Sequence, residues 1–359
     1  MSDLKTIYQA AAAQLAPDGI PLHFGDIQGE YTAAFDAAIL LDRSHEGRLR
    51  LVGKDSFDLI NRMSTNNMLN LAVGEGCGTV FANPNGRILD RVVGYHLPDG
   101  DLLMLAGPGR GEPLRQYLQR NIFFNDDVKL TAITAVTRQF ALHGPASPAI
   151  IAELVPAAAE LTVHQCVIAE IAGCEATITR GKPYSAAYYT IITSVDDAAI
   201  IWQAIVETGR SHALKPSGGL VYNALRIRSG VPGTGRELSA DYIPLEVGLW
   251  DEISFNKGCY TGQEIIARME SRERVARTII HVTAEQAIAQ GAELYADGKR
   301  VGMVTSSVTT PANEHVAIAV VKVVAAQPGS RLHIGELDGP EAAITTLLGE
   351  QPPFLMENS

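Results

Sequence analysis

The spacing of apolar residues predicts a mixture of helices and strands along the first part of the chain. Apolar side chains recur at helical spacing over residues 3–15, whereas Arg48–Val52 alternates polar and apolar residues as a strand does. Asp55 is placed to cap a helix that reaches Met63. Further strands are predicted at Thr79–Ala82, Ile88–Tyr95, Leu102–Ala106 and Val128–Val136, and a further helix after the glycine-rich turn Gly107–Gly111.

The pattern continues through the middle of the chain and changes beyond Arg277. Single helices among groups of strands, without a regular strand–helix alternation, favour the α+β class over a doubly wound parallel sheet. After Arg277, short apolar runs separated by glycine and proline predict a small antiparallel β-barrel. The predicted elements are strands at Val163–Ile171, Glu175–Thr179 and Tyr189–Thr193, helices at Ala198–Glu207 and Gly219–Arg228, and barrel strands at Thr278–Val282, Arg300–Ser307 and Val316–Val324.

These changes predict three domains, because a chain of 359 residues exceeds one ordinary hydrophobic core. We place a first α+β unit at residues 1–140, a second at residues 141–275, and the barrel at residues 276–359. The two α+β units share a loose order of strands and helices, although no repeat is visible at the level of single residues.

Composition and charge narrow the possible partners. A net charge of −11 opposes non-specific binding to nucleic acid or to anionic lipid. The chain begins without a basic segment followed by an apolar one, and no apolar run reaches membrane-spanning length, so we expect a cytoplasmic protein. Four cysteines without CxxC or zinc-like spacing predict neither a disulfide framework nor a metal site.

The segment Lys257–Glu264, with the sequence KGCYTGQE, is the most informative stretch of the chain. Thr261 and Glu264 match the spacing of a capping box, which predicts a helix that begins at Gly262. Cys259 would then lie two residues before the helix cap, where the partial positive charge of a helix amino terminus favours a thiolate.

Two interpretations of Cys259 remain open on the residues alone. In the first, the ammonium of Lys257 adds to the effect of the helix and makes the thiol reactive, with Tyr260 beside it to shield or orient the sulfur. In the second, Cys259 is an inert cysteine in a turn. We take Cys259, Lys257 and Tyr260 as candidate catalytic residues.

Two carboxylates are further candidates. Asn83–Asp90 combines hairpin-turn residues with a strand that carries Asp90 on the face opposite Leu89, where a carboxylate can bind a ligand amine or stabilise a developing cation. The alternative for Asp90 is a solvated polar face. Glu246 lies among the apolar residues of Asp241–Gly248, and its two acceptor oxygens suit the guanidine-like edge of a heterocycle such as a pterin.

These motifs resemble a known family. The segments that look like the glycine-cleavage T-protein, an aminomethyltransferase, are Asp42–Gly53, Asn83–Asp90, Ile122–Asp127 and Pro244–Gly248. The Lys-Gly-Cys-Tyr-x-Gly-Gln-Glu run resembles the YgfZ-type folate-binding proteins, which are implicated in iron–sulfur cluster maintenance. The likeness extends over most of the chain, from about residue 33 to about residue 325 and including the barrel.

This resemblance implies three lobes around a central tetrahydrofolate site, with the first unit contributing to folate binding. The implied folate-contacting residues are Glu246, which matches the glutamate that holds the pterin, together with Asp90, Tyr242 and Gln263. Three positions depart from the T-protein pattern: Arg91 replaces the second of two acidic residues, Gln263 replaces an arginine that can meet the folate tail, and Cys259 replaces a position that is usually aspartate.

Two functions follow from the resemblance. The first is a folate-dependent accessory protein for the assembly or repair of iron–sulfur clusters, with folate, iron–sulfur proteins and cluster-assembly factors as partners and Cys259 as the reactive group. The second is a tetrahydrofolate-dependent aminomethyl or one-carbon transferase. The Cys259 motif favours the first function, and Asp90 and Glu246 do not discriminate between them. We expect a monomer that binds neither nucleic acid nor membranes.

Overall fold

Every helix and strand named above overlaps an observed one in the computed structural model, which describes residues 3–184 and 186–352. The α-helices are α1 (Leu4–Ala10), α2 (Ile27–Asp36), α3 (Ser56–Met63), α4 (Gly111–Gln119), α5 (Ser147–Leu154), α6 (Pro156–Ala159), α7 (Ala198–Gly209), α8 (Gly219–Arg228) and α9 (Gln263–Ser271). The strands are β1 (Gln14–Leu15), β2 (Pro21–His23), β3 (Ala38–Asp42), β4 (Glu46–Val52), β5 (Gly76–Ala82), β6 (Ile88–His96), β7 (Leu102–Pro108), β8 (Lys129–Ala132), β9 (Thr137–His143), β10 (Cys166–Ile171), β11 (Cys174–Gly181), β12 (Tyr188–Ser194), β13 (Leu214–Ser217), β14 (Arg277–Ala284), β15 (Glu293–Ala296), β16 (Lys299–Thr309), β17 (His315–Lys322), β18 (Arg331–Ile334) and β19 (Glu341–Leu347).

These elements form two compact units. Unit 1 consists of Met1–Ile60, Met68–Cys77 and Val92–Leu225, and unit 2 consists of Asn61–Asn67, Gly78–Arg91 and Arg226–Ser359. Unit 2 therefore contains the end of the β5–β6 hairpin as well as the barrel. The three-domain division at residues 140 and 275 stays a prediction.

A six-stranded sheet forms the centre of unit 1, in the order β10-β11-β12-β9-β3-β13. Its neighbours are antiparallel except for β13, which runs parallel to β3. Aromatic side chains join the helices to this sheet, because the ring of Trp202 on α7 packs edge-on against Tyr8 of α1 and Phe140 of β9. These contacts belong to a continuous apolar core with residues of α5 and β11.

A five-stranded sheet has the order β5-β6-β7-β4-β8. The predicted turn between β5 and β6 is confirmed: the Oδ1 atom of Asn83 accepts hydrogen bonds from the backbone N–H groups of Asn85 and Arg87, at 2.9 and 3.1 Å. Gly86 has a positive φ of 70°, which a residue without a side chain adopts at little cost. The turn therefore fixes the start of β6, the strand that carries Asp90.

A fully buried arginine joins parts of unit 1 that are distant in sequence. Arg48 on β4 donates from Nε to Thr137 Oγ1 at 2.8 Å, and from Nη2 to the carbonyl oxygen of Thr134 at 3.0 Å. Burial lowers the pKa of its guanidinium to about 10, so the group stays charged at neutral pH. A buried charge needs such partners, which ties β4 to the segment that enters β9.

The C-terminal strands close the predicted barrel within unit 2. The order around it is β14-β17-β16-β15-β18-β19, and every neighbouring pair is antiparallel. Its interior is filled by aliphatic side chains such as Ile280, Val304 and Leu332, so the barrel is a packed core and not a channel.

Several observed elements were not predicted, β3 and α2 among them, and some predicted elements were too long, such as the helix over residues 3–15, which ends at Ala10. The strand β3 is buried at every position, so its sequence lacks the alternation that identifies a half-buried strand. The helix α2 was also not predicted from the spacing of apolar residues. The strand expected over Val128–Val136 ends at Ala132, and a separate strand, β9, begins at Thr137. Across residues 3–184 and 186–352, the helices all fall short of the length and apolar character that crossing a membrane requires.

Replacing Arg48 with methionine should destabilise unit 1 strongly. The substitution keeps the apolar stem but removes the donors that satisfy buried carbonyl oxygens, and we expect a loss of roughly 3–5 kcal/mol in urea unfolding. Arg50→Met is the matched control on the same strand. The half-exposed Arg50 pairs with Asp101 at 2.6 Å, and losing such a pair costs about 1 kcal/mol or less. Equal losses in the two variants would contradict the structural role of Arg48.

Candidate functional site

Three of the sequence motifs come together in unit 2. The Asn83–Asp90 hairpin packs directly on the segment Lys257–Glu264, because a Cβ atom on Gly262 would lie 2.6 Å from the carbonyl oxygen of Asn83 and 3.0 Å from the Cα of Gly86. The hairpin also bonds to the third motif, since the backbone N–H of Ile88 donates to the carbonyl oxygen of Tyr242 at 3.0 Å. The motifs therefore share one surface in the fold.

The Glu246 carboxylate is at the centre of this arrangement. It is 3% exposed and accepts from the Nε and Nη2 atoms of Arg277 at 2.9 and 3.0 Å. A guanidinium nitrogen of Arg87 lies 3.6 Å from Oε2, and the backbone N–H of Ile243 donates to the same oxygen at 3.1 Å. The protein itself thus uses both carboxylate oxygens, and a pterin would have to displace Arg277 or share its place.

Of the other three residues that the resemblance assigned to folate, Tyr242 lies near Glu246 in sequence and Gln263 lies on α9. Tyr242 is buried, its ring centroid is 5.1 Å from the Cζ atom of Arg277, and burial raises the pKa of its hydroxyl. Gln263 is half-buried and begins α9, with its backbone N–H donating to the carbonyl oxygen of Tyr260 at 3.2 Å. The folate roles of both residues stay predictions.

Asp90 lies on the buried face of β6. It is 5% exposed, whereas Leu89 before it is exposed, so the alternation expected along this strand is confirmed and the solvated alternative is wrong. Its Oδ1 atom accepts from the backbone N–H of Arg91 at 3.0 Å. The Arg91 guanidinium forms a bidentate ion pair with the buried carboxylate of Glu252, with Nε and Oε2 2.9 Å apart. The positive charge that departs from the T-protein pattern is therefore compensated within unit 2.

The predicted capping box at the start of α9 is wrong. The helix begins at Gln263, and its cap is Gly262 in the left-handed conformation with a φ of 85° and no side-chain hydrogen bond. A glycine cap has no side chain that could form the reciprocal hydrogen bond of a capping box. Glu264 instead forms an ion pair with Arg268 one turn later, at 2.7 Å. Cys259 is exposed and lies three residues before the cap instead of two.

Lys257 and Tyr260 flank Cys259 but are bound to the protein. The Lys257 ammonium donates to the carbonyl oxygens of Asn61, Ser64 and Asn66 at 2.5, 2.8 and 2.6 Å. Tyr260 is buried, and burial raises the pKa of its hydroxyl to about 12. The lysine nitrogen is 5.3 Å from the centroid of the tyrosine ring. Both residues shape the loop around the cysteine, and their catalytic roles stay predictions.

The remaining cysteines differ from Cys259 in exposure. Cys166 and Cys174 are buried, and burial raises the pKa of both thiols, to about 11 for Cys166. Cys77 is half-buried, with its sulfur 3.4 Å from the sulfur of Met68. Exposure alone therefore separates Cys259 from the two buried thiols.

A cluster of aromatic residues around a buried histidine in unit 1 was not predicted from the sequence. His143, at the end of β9, is 2% exposed and stacks on Tyr188 with ring centroids 4.3 Å apart and planes 5° apart. Tyr184 lies 5.0 Å from the same imidazole, and Tyr222 lies 6.3 Å away. We call these four residues the His143 cluster. Its three tyrosines are only partly exposed, so parts of their rings are accessible from outside.

The polar atoms of the His143 cluster are unevenly satisfied. The hydroxyls of Tyr184 and Tyr222 are 2.8 Å apart, and the Arg43 guanidinium lies 3.5 Å from the centroid of the Tyr222 ring. Burial, with the charge of Arg43, lowers the pKa of His143 to about 3, so its imidazole is neutral at pH 7. Its Nε2 atom has no hydrogen-bond partner among the residues that the structure describes. A buried polar atom of this kind can be completed by a water molecule or by a ligand.

The neighbours of His143 could be found in the sequence only in part. The chain is poor in aromatic residues, so Tyr184, Tyr188 and Tyr222 stand out, but their convergence depends on the pairing of Tyr188 with His143 across β12 and β9.

In the described part of the chain, no group of three or more His, Cys, Asp or Glu side chains is placed to hold a metal ion.

Comparison with known proteins identifies the family. A family model described as the GCVT N-terminal domain matches residues 8–257. A chloroplastic protein of Arabidopsis thaliana, named as a candidate transferase, is 30% identical over 99% of this chain and 82% of its own length. An aminomethyltransferase of Cutibacterium acnes is 27% identical over 96% of this chain and 94% of its own length, and one of Caldanaerobacter subterraneus is 25% identical over 91% and 88%.

A solved structure supports the same conclusion at the level of the fold. The glycine cleavage system aminomethyltransferase T of Bartonella henselae matches with a TM-score of 0.82 over 98% of this chain and 96% of that one, at 21% identity. The α+β fold with a closed antiparallel C-terminal barrel, predicted from the sequence, is thereby confirmed. The chain belongs to the GCVT N-terminal domain family, whose members named above include aminomethyltransferases.

Proposed function

We propose that this chain is a tetrahydrofolate-binding protein. The observation that carries the proposal is family membership across residues 8–257, together with full-length likeness to proteins named aminomethyltransferase. The resemblance of the sequence motifs implies the same cofactor. A folate combines a flat heterocycle with an anionic tail, so its site needs an aromatic surface and polar atoms that match the ring edge.

The pterin has two candidate positions. The first is Glu246 in unit 2, with Asp90, Tyr242 and Gln263 as the other implied folate contacts. The second is the His143 cluster of unit 1, where partly exposed aromatic rings adjoin an imidazole nitrogen without a partner among the described residues. We favour the second position, because the Glu246 oxygens already accept from Arg277 and from the backbone of Ile243.

We further propose that the folate-bound protein supports the assembly or repair of iron–sulfur clusters through Cys259. The sequence motif Lys257–Glu264 is the basis of this assignment. The exposure of Cys259 supports it, since a thiol that meets a cluster, a sulfur species or a partner thiol must be accessible. Iron–sulfur proteins and cluster-assembly factors are the partners that this function requires.

A second candidate function is aminomethyl or one-carbon transfer to tetrahydrofolate. The names of the bacterial relatives favour it, and the buried Asp90 is compatible with it, as a retained carboxylate that can stabilise a developing cation. Arg91 argues against aminomethyl transfer, because it places a guanidinium, paired with Glu252, where the T-protein pattern has a second carboxylate.

Tetrahydrofolate binding should depend on His143 more than on Glu246. In calorimetric titrations, His143→Phe keeps a ring in the stack but removes the Nε2 atom, and we expect an affinity roughly tenfold lower. Glu246→Gln should keep the affinity while unfolding more easily, because Arg277 loses the charge of its buried partner.

His281→Phe is the control for these titrations, since it replaces another buried histidine within the barrel. It should leave folate affinity unchanged. If the folate affinity falls in Glu246→Gln and not in His143→Phe, the pterin binds at Glu246 and the position proposed here is wrong. A parent protein that does not bind tetrahydrofolate would refute the proposed function itself.

Aminomethyl transfer should be absent or far slower than in a genuine T-protein. The purified protein, supplied with an aminomethyl-lipoyl carrier and tetrahydrofolate, should release ammonia only at the rate of the uncatalysed mixture. The physical reason is the guanidinium of Arg91 and the amide of Gln263 at positions where the family pattern has other charges. An aminomethyltransferase assayed alongside calibrates the measurement, and equal rates for the two proteins would establish the second candidate function.

Cys259 should react with iodoacetamide at least about tenfold faster than Cys166 and Cys174, because exposure favours access and burial disfavours the thiolate of the other two. Peptide mapping at successive times measures the four rates.

Cys259→Ser should fold and bind folate normally but fail to restore iron–sulfur enzyme activity in a deletion strain, whereas Cys77→Ser should restore it. Full restoration by Cys259→Ser would leave this thiol without the proposed role.

A further inference from the structure

The ammonium of Lys257 occupies a pocket of backbone carbonyl oxygens in unit 2. Three of them accept from Nζ within 2.8 Å: Asn61 in the last turn of α3, and Ser64 and Asn66 just after it. We call these three oxygens the carbonyl nest. Carbonyl groups at the end of a helix lack partners within the helix and carry partial negative charge, so the nest suits a small cation.

The number of N–H donors on the Lys257 ammonium limits the chemistry that this residue can perform. A protonated lysine has three N–H donors and no acceptor, and the nest offers one carbonyl oxygen to each donor. Giving a proton to Cys259 or to a ligand would therefore break a charge-assisted hydrogen bond. Lys257 is suited to hold the backbone in place and poorly suited to act as an acid.

The backbone held by Lys257 is the one that carries Cys259. Upstream of the lysine, the chain is already bonded to the same segment, since Ser254 donates its N–H to the carbonyl oxygen of Thr65 at 3.0 Å and the Thr65 hydroxyl donates to the carbonyl oxygen of Glu252 at 2.7 Å. Lys257 extends this attachment toward the cysteine, and the next anchored side chain is the buried Tyr260. Cys259 thus lies on a short loop fixed at both ends.

We propose that Lys257 is a positioning residue whose ammonium fixes the loop of Cys259 onto the carbonyl nest, and that the nest is a binding site for a small primary ammonium ion when the lysine side chain is removed. The proposal rests on the proposed function only in its choice of Cys259 as the residue being positioned. The ligand class follows from the geometry, because the nest requires a cation with several N–H donors and little bulk.

A spin label on Cys259 tests this proposal directly. The label is attached in a Cys77→Ser background, since Cys166 and Cys174 are buried. In Lys257→Ala we expect the motionally restricted part of the spectrum to be lost, because one end of the loop is released. Methylammonium should restore it in a saturable manner, whereas tetramethylammonium at the same concentration should not, because it lacks N–H donors. If Lys257→Ala does not fold, Lys257→Ser serves in its place, since its short side chain also leaves the nest without a cation and open to methylammonium.

Lys322→Ala is the matched control. Lys322 belongs to unit 2 as well, but among the described residues its ammonium donates to one carbonyl oxygen, that of Arg300, at 3.2 Å. It should leave the spectrum unchanged and insensitive to methylammonium. A Lys257 variant with the spectrum of the parent, or one that responds equally to both cations, would overturn the proposal. Folate titration of the same preparations is independent, so failure of folate binding would refute the proposed function without altering this result.

Discussion

The buried carboxylate of Glu246 is the interaction on which the arrangement of the motifs in unit 2 depends. It accepts hydrogen bonds from the Nε and Nη2 atoms of Arg277 on the first barrel strand, and a third hydrogen bond from the backbone N–H of Ile243. Arg87, from the hairpin, lies 3.6 Å away and also donates to the carbonyl oxygen of Asp241 at 2.7 Å. A carboxylate this buried is stable only when such partners compensate its lost hydration, so hairpin, loop and barrel strand are held together by one charge.

The sequence was a good guide wherever local periodicity decides the structure. The helix expected at Gly219–Arg228 is observed with those bounds, and the barrel and the Asn83–Gly86 turn follow from glycine, proline and asparagine at positions that need them. It failed where tertiary burial replaces periodicity, as in β3, and where a glycine cap replaces a side-chain cap, as at Gly262. Burial on both faces and a left-handed residue leave little trace in apolar spacing.

For the candidate site, the sequence identified the residue types but not their partners. Glu246 was recognised as a carboxylate in apolar company, yet its guanidinium partner lies 31 residues further along the chain and only the fold brings the two together. Lys257 was interpreted through its neighbour in sequence, Cys259, whereas its ammonium is bound by carbonyl oxygens about 190 residues upstream. The role of a charged side chain is set by what satisfies it, and that information is not local.

The same reasoning underlies our choice of the His143 cluster as the proposed position for a ligand. The criterion is a buried polar atom without a hydrogen-bond partner, whose desolvation penalty a bound ligand can offset. His143 Nε2 meets this criterion among the described residues, whereas Glu246 and Lys257 already have several partners within the chain. The acidic and basic residues that the motifs single out therefore have their partners within unit 2, and the proposed heterocycle position in unit 1 rests on a polar atom that has none among the described residues.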